Sequence, residues 1–359
     1  MTDRPFVDAW RRRTSAAFVL GENSTAGRAV RVTFPGGPLD VYANANFSVY
    51  SAQPCNARCG FCVEELRPAS RGGALAAQRV TEPDDERWFA ALERALDTVR
   101  AVDPSVSVTG GEPSRDPRLP RLLRALAARG ARKRTVTTNG SGLLDVREGR
   151  RLVDWIADTG VTHLNVSIAH PDPDVNARLM RYRSAPRDVA AVVRGAGDTR
   201  VRLSCVLTTE GVADLDGVVA YVRWARAAGV DNVIFRQLMK ADADTAADDP
   251  VVVWSDTHRV RLEPLLDAIS ADARFSFRRQ IVGYYYYVEV WRFEDVDVVF
   301  EEADLARLER VKRTSDVVHE LVFHPDGALC GTWQPWDGVL LPGTAPARPD
   351  VSAPAAPRP

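Results

Sequence analysis

The sequence predicts an α/β protein built from repeated strand–helix–strand units around a parallel sheet. Two observations carry that prediction. Six short apolar segments alternate with helical ones at intervals of about thirty residues, and repeated right-handed βαβ units account for such alternation. The unusual glycine and polar residues fall at the ends of those segments, where ligands sit in parallel α/β sheets. The 359 residues suffice for one large domain with an appendage and a well-buried core.

Residues 1–44 are read as a capping segment, with short strands at Ala16–Leu20 and Ala29–Phe34 either side of the turn Gly21-Glu22-Asn23-Ser24. Asn44–Ser51 alternates as a strand and leads into a cysteine-rich loop. The repeat then runs over 45–250. Strands are expected at Val106–Thr109, Thr135–Thr138, His163–Ile168, Val201–Thr208 and Asn232–Leu238. Helices are expected at Leu119–Arg129, with apolar positions at 119, 122, 123 and 126 and a stop at Gly130, and at Leu152–Asp158, Arg187–Arg194 and Leu215–Ala228. A doubly wound sheet and a barrel both fit this order. Residues 251–341 change character: a helix at Thr257–Ser270, a strand-rich stretch at Phe275–Phe300, a short helix at Asp304–Arg313, and a hairpin of Val317–Phe323 and Ala328–Thr332 about Pro325-Asp326-Gly327. Residues 342–359 are Pro/Ala-rich without apolar periodicity and are expected to be disordered.

Composition narrows the function. With 47 basic and 48 acidic residues, nothing favours nucleic acid or an anionic membrane as partner. No apolar run reaches the length of a membrane span and the N-terminus carries no signal core, so a cytoplasmic protein is expected. Five cysteines, three of them clustered, do not make a disulfide framework.

The clustered three are Cys55, Cys59 and Cys62, spaced Cys-x₃-Cys-x₂-Cys. Three thiolates on one loop can converge on a soft metal centre. A structural zinc wants a fourth protein ligand nearby, and none is present in this stretch. An iron–sulfur cubane held by three cysteines instead leaves one iron open. A zinc knuckle or a chance group of buried thiols are the plainer readings. Downstream, Gly110-Gly111-Glu112-Pro113 follows the second strand, Thr137-Thr138-Asn139-Gly140 ends the third and Asn165-Val166-Ser167 the fourth. Taken singly, these are turn and cap residues. Glycines also let a backbone approach a ligand, and Glu112 offers an acceptor for an ammonium.

In this order the motifs resemble those of the radical S-adenosylmethionine (SAM) enzymes. The resemblance implies a partial (β/α)₆ barrel, a [4Fe–4S] cluster on Cys55, Cys59 and Cys62, and SAM bound through the open iron. It further implies cofactor contacts from Phe61 beside the adenine, Gly110, Gly111 and Glu112 at the amino group, Thr138, Asn139 and Ser167 at the ribose, Arg178 (with Arg181 and Arg183 as alternatives) at the carboxylate, and Met239. An external electron donor such as flavodoxin or ferredoxin and a small-molecule substrate complete the set. Among such enzymes the chain is most similar to the GTP 3′,8-cyclases, sharing Cys-Asn-x-Arg-Cys, Glu64 and Glu65 after the third cysteine, Thr-Gly-Gly-Glu-Pro, Thr-Thr-Asn-Gly, Asn-Val-Ser and Gln237-Leu238-Met239 over about 190 residues. Those cyclases carry three further cysteines for a second cluster and end in Gly-Gly; here only Cys330 follows the barrel, and the chain ends Pro357-Arg358-Pro359. The hairpin 322–330 resembles a degenerate remnant of the cluster-bearing extension. Cys205 lies in an apolar strand and is read as a buried small hydrophobe. Cys330 is either structural or a hydrogen donor to a substrate radical. Arg236, at the end of the sixth strand, needs an anion, and a substrate carboxylate or phosphate would supply it. Tyr284 to Tyr287 either pack the sheet or stack on a base or sugar.

Overall fold

The computed structural model describes residues 29–67, 73–182, 188–240, 248–282, 285–305, 308 and 314–345. The expected strand Ala16–Leu20, Arg183, Tyr284, most of the helix Asp304–Arg313 and the tail beyond 345 lie outside those residues.

Strands β1 (Ala29–Phe34) and β2 (Gly37–Tyr42) form an antiparallel pair, which β14 (Val317–Val318) joins in parallel. Next come β3 (Asn46–Tyr50), β4 (Ser105–Thr109) and β5 (Arg134–Thr138), a small pair β6 (Val146–Arg147) and β7 (Arg150–Arg151), then β8 (His163–Ser167), β9 (Arg200–Leu207) and β10 (Asn232–Gln237). In the main sheet β3, β4, β5, β8, β9 and β10 lie side by side, every neighbouring pair parallel. These are the six strands of the expected α/β repeat. The C-terminal residues then add to both edges. β11 (Phe275–Val282), β12 (Tyr286–Phe293) and β13 (Val296–Ala303) extend the β10 edge, and β15 (Leu321–Phe323), β16 (Leu329–Cys330) and β17 (Val339–Leu341) extend the β3 edge, giving twelve strands. β13 pairs in parallel with β10, and β15 in parallel with β3.

The strands alternate because their two faces meet different surroundings. Val106, Val108, Val136, Leu164, Val166, Leu203, Cys205 and Phe235 are buried in one continuous core; each large side chain there contributes about 1.5–3 kcal/mol relative to exposure. On β4, β5 and β8 the intervening residues are Ser107, Thr109, Thr135, Thr137, Asn165 and Ser167. A parallel strand sealed on both faces reads as an unbroken apolar run; of the polar residues here, Thr109, Thr137 and Ser167 at the strand ends border a cavity.

The helices are α1 (Leu75–Gln78), α2 (Asp85–Thr98), α3 (Leu119–Ala128), α4 (Leu152–Asp158), α5 (Pro173–Met180), α6 (Val189–Gly195), α7 (Leu215–Ala227), α8 (Pro250–His258) and α9 (Leu262–Ala271). Five of them begin at an aspartate N-cap whose carboxylate accepts an amide of the first turn: Asp84, Asp172, Asp188, Asp214 and Asp249. The expected helix Thr257–Ser270 is corrected to two helices, α8 and α9. The chain is extended at Arg259 and Arg261 because tertiary bonds hold it there. The Arg259 guanidinium donates to the carbonyls of Leu238 and Met239, and Gln237 donates to the Val260 carbonyl at 2.9 Å.

Candidate functional site

The cysteine loop leaves β3 and is pinned to the neighbouring strand ends. Ser51 N donates to the Thr109 carbonyl at 2.8 Å and Glu112 N to the Gln53 carbonyl at 2.9 Å, while Ser51 Oγ donates to Asp116 at 2.8 Å. These contacts give Gly110 and Gly111 their physical reason. Both have positive φ, and an added Cβ would stand 2.3 Å from the Tyr50 ring at Gly110 and 2.0 Å from the Gln53 carbonyl at Gly111. The glycine pair therefore admits the chain's own loop.

Glu112 is 1% exposed. Its Oε1 accepts from Ser114 N at 2.8 Å, Ser114 Oγ at 2.7 Å and Thr138 Oγ1, and its Oε2 accepts from Asn139 N at 2.7 Å. The protein thus satisfies most of the carboxylate, leaving Oε2 with one bond and a free acceptor position. Asn139 in turn donates through Nδ2 to Asn56 Oδ1 at 2.8 Å and lies 3.7 Å from Cys55 Sγ.

The three cysteines are free thiols. Burial pushes the Cys59 thiol up to about 12, with the Cys62 and Cys55 charges adding, and the Cys62 thiol up to about 11. Cys55 is raised by the same cause. Each sulfur thus lies within electrostatic reach of the others. Among the described residues no three His, Cys, Asp or Glu side chains already stand in metal-coordinating positions. The loop itself offers three soft sulfurs, a set that does not by itself complete a structural zinc site but does fit a cubane with an open iron.

Cys55, Cys59 and Phe61 border a cavity of about 170 Å³ that opens to solvent. Its opposite wall is the carboxyl edge of the sheet. Gly110, Gly111, Glu112, Thr138, Asn139 and Ser167 line it, together with Thr109, Thr137, Ser204, Val206 and Met180. Ser204 and Val206 were missed, although they occupy a strand end in the same repeat. Helix α8 covers the loop: Trp254 packs against Phe61 at 5.8 Å and against Gly60, where an added Cβ would stand 2.9 Å from the indole. The Asp249-Pro250 N-cap was the signal for that helix.

Four expected site residues stand apart from the cavity lining. Arg178 is exposed. Arg181, also exposed, is a cation beside the loop, its Nη2 3.0 Å from where a Gly60 Cβ would be and its charge acting on Cys59. Met239 is 38% exposed and offers its carbonyl to Arg259. Arg236 has its anion within the protein, Glu301 Oε1 on the adjacent strand at 3.3 Å, an ion pair without hydrogen-bond alignment. Cys330 is 0% exposed in the β15–β16–β17 edge, with Sγ 3.8 Å from the Pro335 carbonyl, so its hydrogen-donor role is withdrawn. Tyr287 is buried sheet packing, bonded to Gln280 and Glu289.

A parallel α/β sheet with three free thiols on one loop beside a cavity at its carboxyl edge fits an iron–sulfur enzyme that binds a small cofactor there. The chain belongs to the radical SAM superfamily, whose family model matches residues 50–236, and it accordingly uses a [4Fe–4S] cluster and SAM. It is 32% identical to a GTP 3′,8-cyclase of Pseudomonas putida (strain GB-1) over 159 residues, 43% of this chain and 42% of the relative. A GTP 3′,8-cyclase of Mycobacterium ulcerans (strain Agy99) is 29% identical over 257 residues, 66% of each. A PqqA peptide cyclase of Xanthomonas axonopodis pv. citri (strain 306) is 28% identical over 169 residues, 46% of this chain and 41% of the relative. The chain thus spans from 41% to 66% of the length of these curated relatives. The crystal structure of Streptococcus suis SuiB shares the fold, with a TM-score of 0.50 and 16% identity over 81% of this chain and 61% of that one. Among the described residues no helix is long and apolar enough to cross a membrane.

Proposed function

We propose that this radical SAM enzyme acts on a small polar molecule, a nucleoside, sugar or amino acid derivative, in a secondary-metabolite pathway. The observation that supports this reading is the cavity wall. Thr109, Thr137, Ser167 and Ser204 bring side-chain hydroxyls to the cavity that Cys55, Cys59 and Phe61 border, a few polar groups of the kind that orient a small polar ligand. When bound, the cluster and SAM supply a 5′-deoxyadenosyl radical that takes a hydrogen atom from the substrate. The protein's part is to bind and orient. Cys55, Cys59 and Cys62 would hold the iron, Oε2 of Glu112 would accept from the SAM ammonium, Arg181 would pair with its carboxylate, and Phe61 with Trp254 packs over the loop. An external electron donor such as flavodoxin or ferredoxin serves as reductant.

A second reading, a peptide-modifying enzyme, is favoured by the similarity to the PqqA peptide cyclase. One experiment separates the two. The anaerobically reconstituted protein with dithionite and SAM is offered panels of nucleosides, sugars, amino acids and short peptides, and deuterium transfer into 5′-deoxyadenosine is followed by mass spectrometry. Transfer from a small polar compound supports the proposal. Transfer from peptides alone overturns it.

A further inference from the structure

Arg79 belongs to none of the sequence motifs, yet its side chain is 5% exposed and stands directly behind the cysteine loop. Its Nε donates to Glu64 Oε2 and its Nη2 to Glu64 Oε1, both at 2.8 Å. Nη1 lies 2.9 Å from His324 Nδ1, and Nη2 also donates to the Trp333 carbonyl at 3.2 Å. The guanidinium carbon stands 3.6 Å from the centroid of the Tyr50 ring. Arginine has no acceptor, so His324 Nδ1 accepts and the ring proton sits on Nε2, 3.2 Å from the Thr332 carbonyl.

One planar cation therefore ties three separated segments. These are the turn Val63–Glu65 that follows Cys62, the end of β3 that leads into the loop, and the C-terminal hairpin that carries His324 and Trp333. The turn has little to hold it locally. It is a three-residue 3₁₀ turn with no buried residue and no side-chain cap, and Val63 and Glu65 are exposed. Glu64 is the side chain through which it reaches the rest of the protein, and a bidentate arginine–carboxylate pair fixes orientation as well as distance.

We propose that Arg79, through Glu64, is a positioning residue for Cys62, clamping the last cysteine of the loop against the C-terminal hairpin. The proposal rests on the reading that Cys55, Cys59 and Cys62 hold the cluster, but the clamp itself is a property of the iron-free chain and is testable there.

Iron-free protein is treated with N-ethylmaleimide, and labelling of each cysteine is timed by peptide mass spectrometry in wild type, Glu64→Gln, Arg79→Met and Arg79→Lys. Cys62 is expected to label several-fold faster in Glu64→Gln and Arg79→Met, with Arg79→Lys in between. Cys55 should keep its wild-type rate. Cys205, 0% exposed in β9, reports global opening and should stay unlabelled. Should Arg79→Met expose Cys205, Arg79→Lys decides, because it keeps the Glu64 charge that acts on Cys62 and loses only the bidentate pair. Cys62 labelling at the wild-type rate in Glu64→Gln, or Cys55 rising in step with Cys62, overturns the proposal. In reconstituted protein, iron loss to a chelator should also quicken several-fold in Glu64→Gln; an unchanged rate counts against the clamp. Wild type that binds no iron would defeat the cluster reading instead, and leaves the labelling result standing.

Discussion

Asn139 N donates to Glu112 Oε2 at 2.7 Å across the carboxyl edge of the sheet, joining the ends of β4 and β5. Through its side chain the same asparagine reaches Asn56 and Cys55. The acidic residue of the Gly-Gly-Glu-Pro motif thus acts on the cysteine loop as well as on the cavity. Its removal should therefore cost more than one ligand contact.

Glu112→Ala is expected to lower both stability and SAM affinity. Four donors that now bond the carboxylate lose their partner inside the protein, and a hydrogen bond to a charged group contributes about 1.5–3 kcal/mol. Chemical denaturation of the iron-free chain and calorimetric SAM titration of the reconstituted one measure the two effects. Unchanged stability would show that the bonds to Ser114, Thr138 and Asn139 carry little.

Cys55→Ala, Cys59→Ala and Cys62→Ala should each abolish the cluster, since each thiolate fills one iron valence. Wild type should carry about four iron and about four sulfide per chain. About eight of each would mean a second cluster in the C-terminal residues, where Cys330 is the only cysteine. Full iron content in any single mutant would remove that cysteine from the ligand set.

Cys330→Ala should leave the ratio of product to 5′-deoxyadenosine at its wild-type value. The sulfur is buried in the β15–β16–β17 edge and does not line the cavity. Stability should fall modestly, by the cost of a small buried void. A variant that forms deoxyadenosine but loses product would restore the radical-quenching role.

Stability should fall as the pH drops from about 6.5 toward 5. Burial and the Arg79 charge pull His324 down to about 3, and burial with the charges of Arg202, Lys133 and Arg200 pulls His163 to about 4. Both are neutral in the folded chain while the unfolded chain takes up protons below about 6.5. Protons therefore favour unfolding across this window, at up to about 1.4 kcal/mol per pH unit for the buried His324 and by less for the partly exposed His163, which solvent screens. Urea midpoints at pH 7 and pH 5 test this, and His324→Asn should flatten the dependence. An equal slope in that variant would mean that His324 is not neutral in the fold.

The six-strand repeat, the cysteine triad and the polar strand ends were legible because each rests on local pattern: apolar periodicity, ligand spacing, and residue types suited to turns. The Phe275–Phe300 stretch was likewise legible as strands. Its placement was not, since nothing local in Val296–Ala303 states that it will lie parallel to β10 while Leu321–Phe323 lies parallel to β3 at the far edge. The break between α8 and α9 escaped for the same reason, being held by Arg259 and Gln237 from outside the helices.

By itself the sequence determined the class of fold, the three thiols and the side of the sheet on which chemistry takes place, because covalent spacing and strand period are properties of neighbouring residues. Only the tertiary structure decided which charged side chains serve the site. Arg236 is neutralised by Glu301, Arg178 is left exposed while Arg181 meets the loop, and Arg79 is joined to Glu64, fifteen residues away, and to His324 at the other end of the chain. A charged group must be paired wherever it is buried, and its partner is whatever the fold brings within about 3 Å, which no local stretch of sequence specifies.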